Sequence, residues 1–141
     1  MLNQKEVCQI EDVRGYGQFV PNQNVLAISL YQKIIFFDAF SCTKIREIVV
    51  GDISPGYLKF SPDGQLLAIA EPTIQKSILI METATGKTVF QLPIPESSTI
   101  TRFGGSDSLT FSPDGRYLLL AFSINGNDEF ASKIRLWQLQ K

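Results

Sequence analysis

Four stretches of this sequence combine residue types that could do chemistry. Gly86-Lys87-Thr88 matches the end of a phosphate-binding loop, and Gly104-Gly105-Ser106-Asp107-Ser108 places serines among glycines, as a flexible nucleophile would require. Residues 125–129 gather several oxygen ligands of the kind that hard cations prefer. Asp63 and Asp114 could serve as paired carboxylates in acid–base catalysis. Each pattern has to be weighed against the local structure its residues would form.

None of the four patterns is complete. A phosphate loop needs a glycine five residues before Gly86, and Met81 stands there. The sequence contains no histidine, so the serines lack their usual base and a metal lacks its commonest ligand. The spacing of residues 125–129 does not fit a calcium-binding EF-hand loop, and the two aspartates stand in equivalent turn phrases. We therefore predict a protein that is not an enzyme and has no catalytic residue, cofactor or metal.

The phrase that holds the two aspartates marks a repeat. Phe60-Ser61-Pro62-Asp63-Gly64 returns as Phe111-Ser112-Pro113-Asp114-Gly115, and a degenerate copy, Phe19-Val20-Pro21-Asn22-Gln23, precedes both. The first residues of the three copies are 41 and then 51 positions apart, and periods of this size are typical of propellers and solenoids. Proline presets φ, Asp or Asn bonds its own backbone, and Gly tolerates positive φ, so each copy predicts a hairpin turn.

Runs of β-branched and aromatic residues follow each copy of the phrase. They are short and bounded by turn residues, which predicts strands, and no long stretch has helical periodicity, so we predict an all-β fold. In the second repeat the strands are expected at residues 56–61, 65–70, 77–81 and 87–92, as a four-stranded meander. We predict one array of repeats at approximately residues 4–40, 41–84 and 85–141.

At this level of detail the repeat resembles that of the WD40 family of β-propellers. Phe-Ser-Pro-Asp-Gly precedes the second strand, and Phe37-Asp38, Met81-Glu82 and Trp137-Gln138 occupy the place of the family's Trp-Asp pair. Thr85-Gly86-Lys87 is similar to the family's hairpin before the outermost strand. The resemblance implies a propeller of three four-stranded antiparallel blades that serves as a protein–protein interaction scaffold. The family's Gly-His is absent, so its buried histidine network is not expected.

Three blades are too few for a closed ring, since propellers typically have 4–8. Residues 5–10 have the pattern of an outermost strand, whereas the sequence ends just past a third strand. In the WD40 family such staggering latches the ring, so the resemblance implies that a second copy completes six blades as a homodimer. The candidate latch residues are Glu6, Val7, Cys8 and Ile10 of one chain and Ile134, Leu136 and Trp137 of the other. Two alternatives stay open: a part of a larger propeller protein without a ligand of its own, and a propeller hydrolase.

The third repeat is the longest because two of its connections are extended. One lies between Leu92 and Leu109 and the other between Ser123 and Lys133. Both leave the meander on the same side, which in WD40-like propellers is usually the partner-binding side. The candidate partner-binding residues in these loops are Arg102, Phe103, Asp128, Glu129 and Phe130. The alternative is that the two long connections are simply tolerated insertions.

Composition restricts the partners. A net charge of −1 argues against a nucleic-acid groove or a polybasic membrane face, and no apolar run approaches the length of a membrane span. We therefore expect a protein partner, no nucleic acid and no membrane. Cys8 and Cys42 lack metal-ligand spacing, and the N-terminus does not have the pattern of a signal peptide. We expect reduced thiols and a cytoplasmic protein.

Overall fold

The computed structural model describes residues 3–11, 13, 15–53, 55–70, 77–94, 100–103, 108–126 and 129–140. These residues form twelve strands and no α-helix, which confirms the all-β prediction. The strands are β1 Gly17–Phe19, β2 Val25–Leu30, β3 Lys33–Asp38, β4 Lys44–Val49, β5 Tyr57–Phe60, β6 Leu66–Ala70, β7 Ser77–Glu82, β8 Thr88–Pro93, β9 Ile100–Phe103, β10 Leu109–Phe111, β11 Tyr117–Gly126 and β12 Glu129–Gln138. Within this part of the chain, no helix has the length and apolarity needed to cross a membrane.

The strands form three antiparallel sheets, which we number in chain order. The first sheet is the meander β1-β2-β3-β4 and the second is the meander β5-β6-β7-β8. The strands of the second sheet agree with those predicted from the sequence to within about one residue at each end. The third sheet differs from the other two. It has the order β10-β11-β12, and β9 also pairs with β11.

The repeated phrase makes the turn that joins β5 to β6. The Ser61 hydroxyl donates to Asp63 Oδ1 at 2.6 Å and accepts from the Leu66 amide at 2.9 Å. Asp63 Oδ1 also accepts the Gln65 amide at 3.0 Å, while Gly64 adopts φ 72°. These bonds occupy backbone groups that a turn would otherwise leave to water. The predicted hairpin role of the phrase is therefore confirmed.

The degenerate copy makes a hairpin of a different local form. The Gln23 amide donates to Val20 O at 3.2 Å, as the Gly64 amide does to Ser61 O in the intact copy. Since no glycine follows Asn22, the positive φ moves to Asn22 itself, at 60°. Asparagine tolerates this region better than most residues, so the hairpin between β1 and β2 survives the loss of Asp-Gly.

Two apolar clusters stack the sheets face to face. The first cluster joins the first and second sheets and includes Ile34 and Phe36 from one side and Leu67 and Ile69 from the other. The second cluster joins the second and third sheets, where alternate residues of the same strand β6 face the other way. The middle sheet is thus covered on both faces, whereas the first and third sheets each have one face outside the stack.

Aromatic residues of the strands contribute to both clusters. Phe36, Phe60 and Phe111 are buried in the two clusters, and Trp137 is partly buried against the second. Phe37 points to the opposite side of β3 from Phe36 and is only partly buried. Contacts between the sheets are therefore made largely by apolar and aromatic side chains.

Candidate interaction surface

The residues that suggested catalysis have structural roles in turns where the structure describes them. Gly86 ends the β7–β8 turn with φ 72°, and its amide donates to Glu82 O at 2.8 Å. Asp114 repeats the turn chemistry of Asp63: its Oδ1 accepts the Ser112 hydroxyl at 2.5 Å and the Arg116 amide at 3.0 Å. Among the described residues, no three Cys, Asp or Glu side chains are grouped so that they could hold a metal ion. Residues 104–107 lie outside the described residues.

The turn bonds shift the acidity of two carboxyl groups. Hydrogen bonds from the Ser112 hydroxyl and then the Arg116 amide lower the pKa of Asp114. At the β3–β4 turn, hydrogen bonds from the Ser41 amide and hydroxyl lower the pKa of Asp38. A lowered pKa keeps both groups ionised at neutral pH. This state suits an acceptor that stabilises a turn, and it does not suit a general acid.

A free strand edge and an exposed apolar face meet on the third sheet. Over the described residues, β12 pairs only with β11, so its other edge carries unpaired backbone groups. Ile134 and Leu136 point away from the stack and are 69% and 62% exposed. They lie opposite Ala121 and Leu119 of β11, so four apolar side chains share this outer face. A surface of this kind marks an interaction site or an aggregation risk.

The three predicted latch residues of β12 all have their backbone at its free edge, but their side chains point to two different faces, and their pairing with a second chain stays a prediction. Trp137 pairs with Leu118 and turns inward with it, toward the second sheet. Its packing belongs to the core of this chain, and only its backbone lies at the free edge. Strand alternation separates Trp137 from Ile134 and Leu136, which stand on the opposite face.

A cleft of about 1420 Å³ runs along the edge of the stack where hairpin turns of all three sheets lie. Its walls include Val89 and Phe90 of β8 and Gln138, Leu139 and Gln140 at the end of the chain. Phe90 and Leu139 are partly buried against the second cluster, and the Leu139 amide donates to Arg116 O at 2.7 Å. The cleft thus reaches the end of β12 and the residues that follow it.

Arg46 of β4 also lines this cleft, and there it ties the first sheet to the second. The Arg46 guanidinium donates to Thr83 O and to Ala84 O, the latter at 3.2 Å, and lies 4.1 Å from the centre of the Phe36 ring. Burial lowers the pKa of this guanidinium. On β4, Arg46 pairs with the residue two positions before Asp38. On β8, Phe90 pairs with the residue two positions before Glu82, so the two residues occupy equivalent positions on their strands. Outer strands therefore tie neighbouring sheets together, and β12 has no such strand beside it in the described chain.

The first sheet has its own exposed outer face. Phe19 and Val49 are 61% and 70% exposed, and both point away from the second sheet. A cavity of about 370 Å³ lies between this face and the N-terminal segment, residues 3–11. Apolar side chains supply most of its lining, namely Ile10, Val13, Phe19, Leu26, Ile28 and Phe37.

The N-terminal segment corrects one prediction and leaves another untested. Cys8 and Cys42 form a disulfide with Cα atoms 6.4 Å apart, so the expectation of reduced thiols is wrong. The two cysteines are 34 residues apart in the sequence, and they meet because the segment folds back onto the β3–β4 turn. The sequence analysis had no local pattern from which to predict that fold-back. The prediction of a cytoplasmic location rested partly on reduced thiols, and the disulfide removes that argument. Residues 5–10 form no strand in the single chain, and their pairing with a second chain stays a prediction.

Four of the five predicted partner-binding residues lie in strands rather than in loops. Arg102 and Phe103 belong to β9, and Glu129 and Phe130 belong to β12. Asp128 lies outside the described residues. Strand β11 brings the two pairs to the same end of the third sheet, since Arg102 lies opposite Ser123 and Phe130 lies opposite Asn125. Their role in binding stays a prediction.

The sequence analysis missed three features of this surface: the disulfide, the Arg46 tie and the length of the β11–β12 hairpin. One signal could have revealed the hairpin. Asn-Gly at residues 125–126 is a pair typical of tight turns, and it indicates a turn close by, although the structure pairs both residues with β12 as the last two of β11. The Arg46 tie had no local signal, since it depends on two sheets that are far apart in sequence.

Comparison with known proteins places the fold but gives no family. No family model matches the chain, and no curated protein matches it. Among solved structures it is similar to hydrazine synthase of Kuenenia stuttgartiensis, with a TM-score of 0.65 and 20% identity over 83% of this chain. The chain spans 36% of the length of that protein. At this identity the likeness concerns the fold alone, and 495 chains of solved structures match it, so the fold does not select a function.

Proposed function

We propose that this chain is a non-catalytic, WD40-like propeller module that binds other proteins, and that its first partner is a second copy of itself. The observation that carries the proposal is the outer face of the third sheet, where Ile134 and Leu136 are exposed beside the free edge of β12. Six sheets from two copies would give a closed propeller of ordinary size. The recurring Phe-Ser-Pro-Asp-Gly phrase supports the WD40 type.

The stack itself indicates what should cover the outer face of the third sheet. Both contacts between sheets within the chain are made by apolar side chains from alternating strand positions. Leu119, Ala121, Ile134 and Leu136 repeat that pattern on the third sheet, with no sheet against them in the described chain. Burying a large apolar side chain completely contributes about 1.5–3 kcal/mol, so contact with another sheet is favourable.

The outer face of the first sheet is a suitable counterpart. Phe19 and Val49 are exposed there, and Leu26, Ile28 and Phe37 line the cavity beneath the N-terminal segment. If the third sheet of one copy packs on the first sheet of the other, the same contact forms twice about a two-fold axis. Such an arrangement leaves no outer sheet face uncovered, which accounts for a closed dimer rather than an open chain of copies.

The edge of β12 would be covered in the same contact. Residues 5–10 are tied through Cys8 to the β3–β4 turn and cover part of the outer face of the first sheet, so the partner's third sheet would pack next to them on the uncovered part. There they can add to the free edge of the partner's β12 as an outermost strand. Charge is compatible with this pairing: residues 3–11 hold one lysine and two glutamates, whereas β12 holds one glutamate, one lysine and one arginine.

Absolute mass in solution tests the proposal. Light scattering on a sizing column should give twice the 15.7 kDa chain mass for the intact protein. The double variant Ile134→Ser, Leu136→Ser should shift to a monomer while keeping its strand content by circular dichroism, because both side chains are exposed in the single chain. Tyr31→Ser removes a comparably exposed apolar side chain from the β2–β3 turn and should leave the dimer intact.

Two results would overturn the self-association. One is a stable monomer for the intact chain, which would make this array a part of a larger propeller that another polypeptide completes. The other is a dimer that withstands the double substitution, which would place the contact on a different surface.

A further inference from the structure

A disulfide bond joins the N-terminal segment to the first sheet. Residues 3–11 belong to no strand in the described chain, and residues 3–9 are exposed. Cys8 is bonded to Cys42, which lies in the β3–β4 turn with φ 56°. Beneath the segment lies the cavity of about 370 Å³, so the segment does not pack closely on the outer face of the first sheet. Residues 3–11 make no strand pairing in the described chain, so the disulfide supplies the covalent restraint on their position.

We infer that the Cys8–Cys42 disulfide controls self-association by holding residues 5–10 where the β12 edge of a second copy can pair with them. This inference rests on the proposed function and adds its regulation. In the oxidised chain the segment is positioned before the partner arrives. In the reduced chain the segment is free to move, and the partner must order it at an entropic cost.

The disulfide also restricts which chain's β12 the segment can pair with. Packed sheets lie roughly 10 Å apart, so the first and third sheets of one chain are separated by about 20 Å. Bonded to Cys42 on the first sheet, the segment cannot reach the β12 edge of its own chain across the middle sheet. The oxidised segment is therefore available only to another copy. A reduced segment would lose this restriction together with its position.

The redox step is a simple exchange. A dithiol reductant attacks the disulfide through a thiolate, and two electrons and two protons convert the Cys8–Cys42 bond to two thiols while the reductant becomes a disulfide. Cys8 is exposed and Cys42 is half-buried, so Cys8 is the sulfur that a reductant in solution reaches more easily. No other cysteine occurs in the sequence, so no other pairing within the chain can replace this one.

The test measures the dimer dissociation constant of the full chain with and without the dithiol dithiothreitol. We expect reduction to weaken the dimer about tenfold or more. Cys8→Ser and Cys42→Ser should each weaken it to the same extent, and dithiothreitol should then have no further effect. Tyr31→Ser, which leaves both cysteines in place, should respond to dithiothreitol as the unaltered chain does.

Hydrogen exchange gives a second readout that does not depend on the serine variants being well folded. The amides of residues 5–10 should be protected in the oxidised dimer and should exchange freely after reduction, while the strands of the middle sheet keep their protection. Electrophoresis without reductant should show single chains, because the dimer is held by strand pairing and packing.

The possible failures are distinguishable. An oxidised dimer whose dissociation constant is unchanged by dithiothreitol overturns the redox control and leaves the proposed function standing. Dimers that persist in denaturing electrophoresis without reductant also overturn it, because the cysteines would then join two chains. An oxidised chain that is monomeric at all concentrations overturns the proposed function, and the redox control falls with it.

Discussion

At the scale of single residues, the aspartates of the repeated phrase act on the backbone. Asp63 and Asp114 each accept a serine hydroxyl and the amide two residues further along the chain. The serine in turn accepts the amide that begins the next strand, at 2.9 Å in one copy and 3.0 Å in the other. The serine and the aspartate thus satisfy a tight turn from within. This is why the phrase recurs as a unit.

The ionised form of Asp114 should make folding stability depend on pH. Its pKa is lowered in the folded chain, so its contribution is fully present above the ordinary aspartate pKa and is lost as pH falls through the folded value. We expect the unaltered chain to unfold at a higher urea concentration than Asp114→Asn at pH 7, and this gap to close between about pH 5 and pH 2.

The matched control for that comparison is Glu11→Gln, which removes the same charge from the N-terminal segment, outside the hairpin turns. The difference in the urea concentration of unfolding between Glu11→Gln and the unaltered chain should not change with pH as the difference for Asp114→Asn does. Parallel curves for the two variants would mean that overall charge, and not the turn, produces the pH dependence.

At the scale of elements, the turn between β7 and β8 has a second role in joining sheets. Gly86 has φ 72°, and a Cβ atom there would lie 2.6 Å from Ile48 Cγ2 of β4. Arg46 of the same strand donates to the carbonyls of Thr83 and Ala84 in that turn. The turn of the second sheet is thus fitted against the outer strand of the first, and glycine is needed there for both conformation and space.

Gly86→Ala should therefore destabilise the chain more than a glycine-to-alanine substitution at a position where only the positive φ is unfavourable. Gly51 offers that comparison, because it has φ 81° and a Cβ atom added there would meet no other atom within 4 Å. We expect Gly86→Ala to cost about 1–3 kcal/mol more than Gly51→Ala in the free energy of unfolding, measured by urea denaturation. Equal costs would show that Ile48 moves aside freely and that the fit between the two sheets is loose.

Elements whose signals are local could be predicted from the sequence. The hairpins at Asp63 and Asp114 and the four strands of the second sheet depend on turn residues and on short apolar runs, and they were found. Strand β9 and the outer half of the β11–β12 hairpin were interpreted as loops. Strand β9 is only four residues long and its pairing is with Phe122–Ile124 of β11, about 20 residues away. The outer half of the hairpin continues a local ladder through mostly polar and small residues, whose strand propensity is low.

At the scale of the whole molecule, the stack is closed in the middle and open at both ends. The middle sheet buries both faces, whereas Phe19 and Val49 at one end and Ile134 and Leu136 at the other remain exposed. The sequence analysis anticipated this from the number of repeats, because counting copies of a phrase needs no tertiary information. It could not anticipate the Cys8–Cys42 bond, which depends on where a segment without regular structure folds back.

The open ends lead to a prediction about the backbone of the N-terminal segment. A proline cannot donate a ladder hydrogen bond, and in a strand at the edge of a sheet alternate amides face the neighbouring strand. Of two adjacent positions, one must therefore present its amide to β12. One of the two variants Glu6→Pro and Val7→Pro should therefore weaken dimerisation about tenfold or more, and the other should weaken it less. Val7→Thr, which suits a strand, should leave dimerisation nearly unchanged. Sedimentation equilibrium measures all three variants.

The folded chain should be unaffected by these prolines, because residues 3–11 make no strand pairing within it. Its thermal unfolding midpoint, measured at a concentration where the chain is monomeric, should therefore match that of the unaltered protein. If both proline variants dimerise like the unaltered chain, residues 5–10 do not form the outermost strand of the partner's third sheet. The contact between the two copies would then consist of sheet faces alone, and the β12 edge would be open to a strand from a different protein.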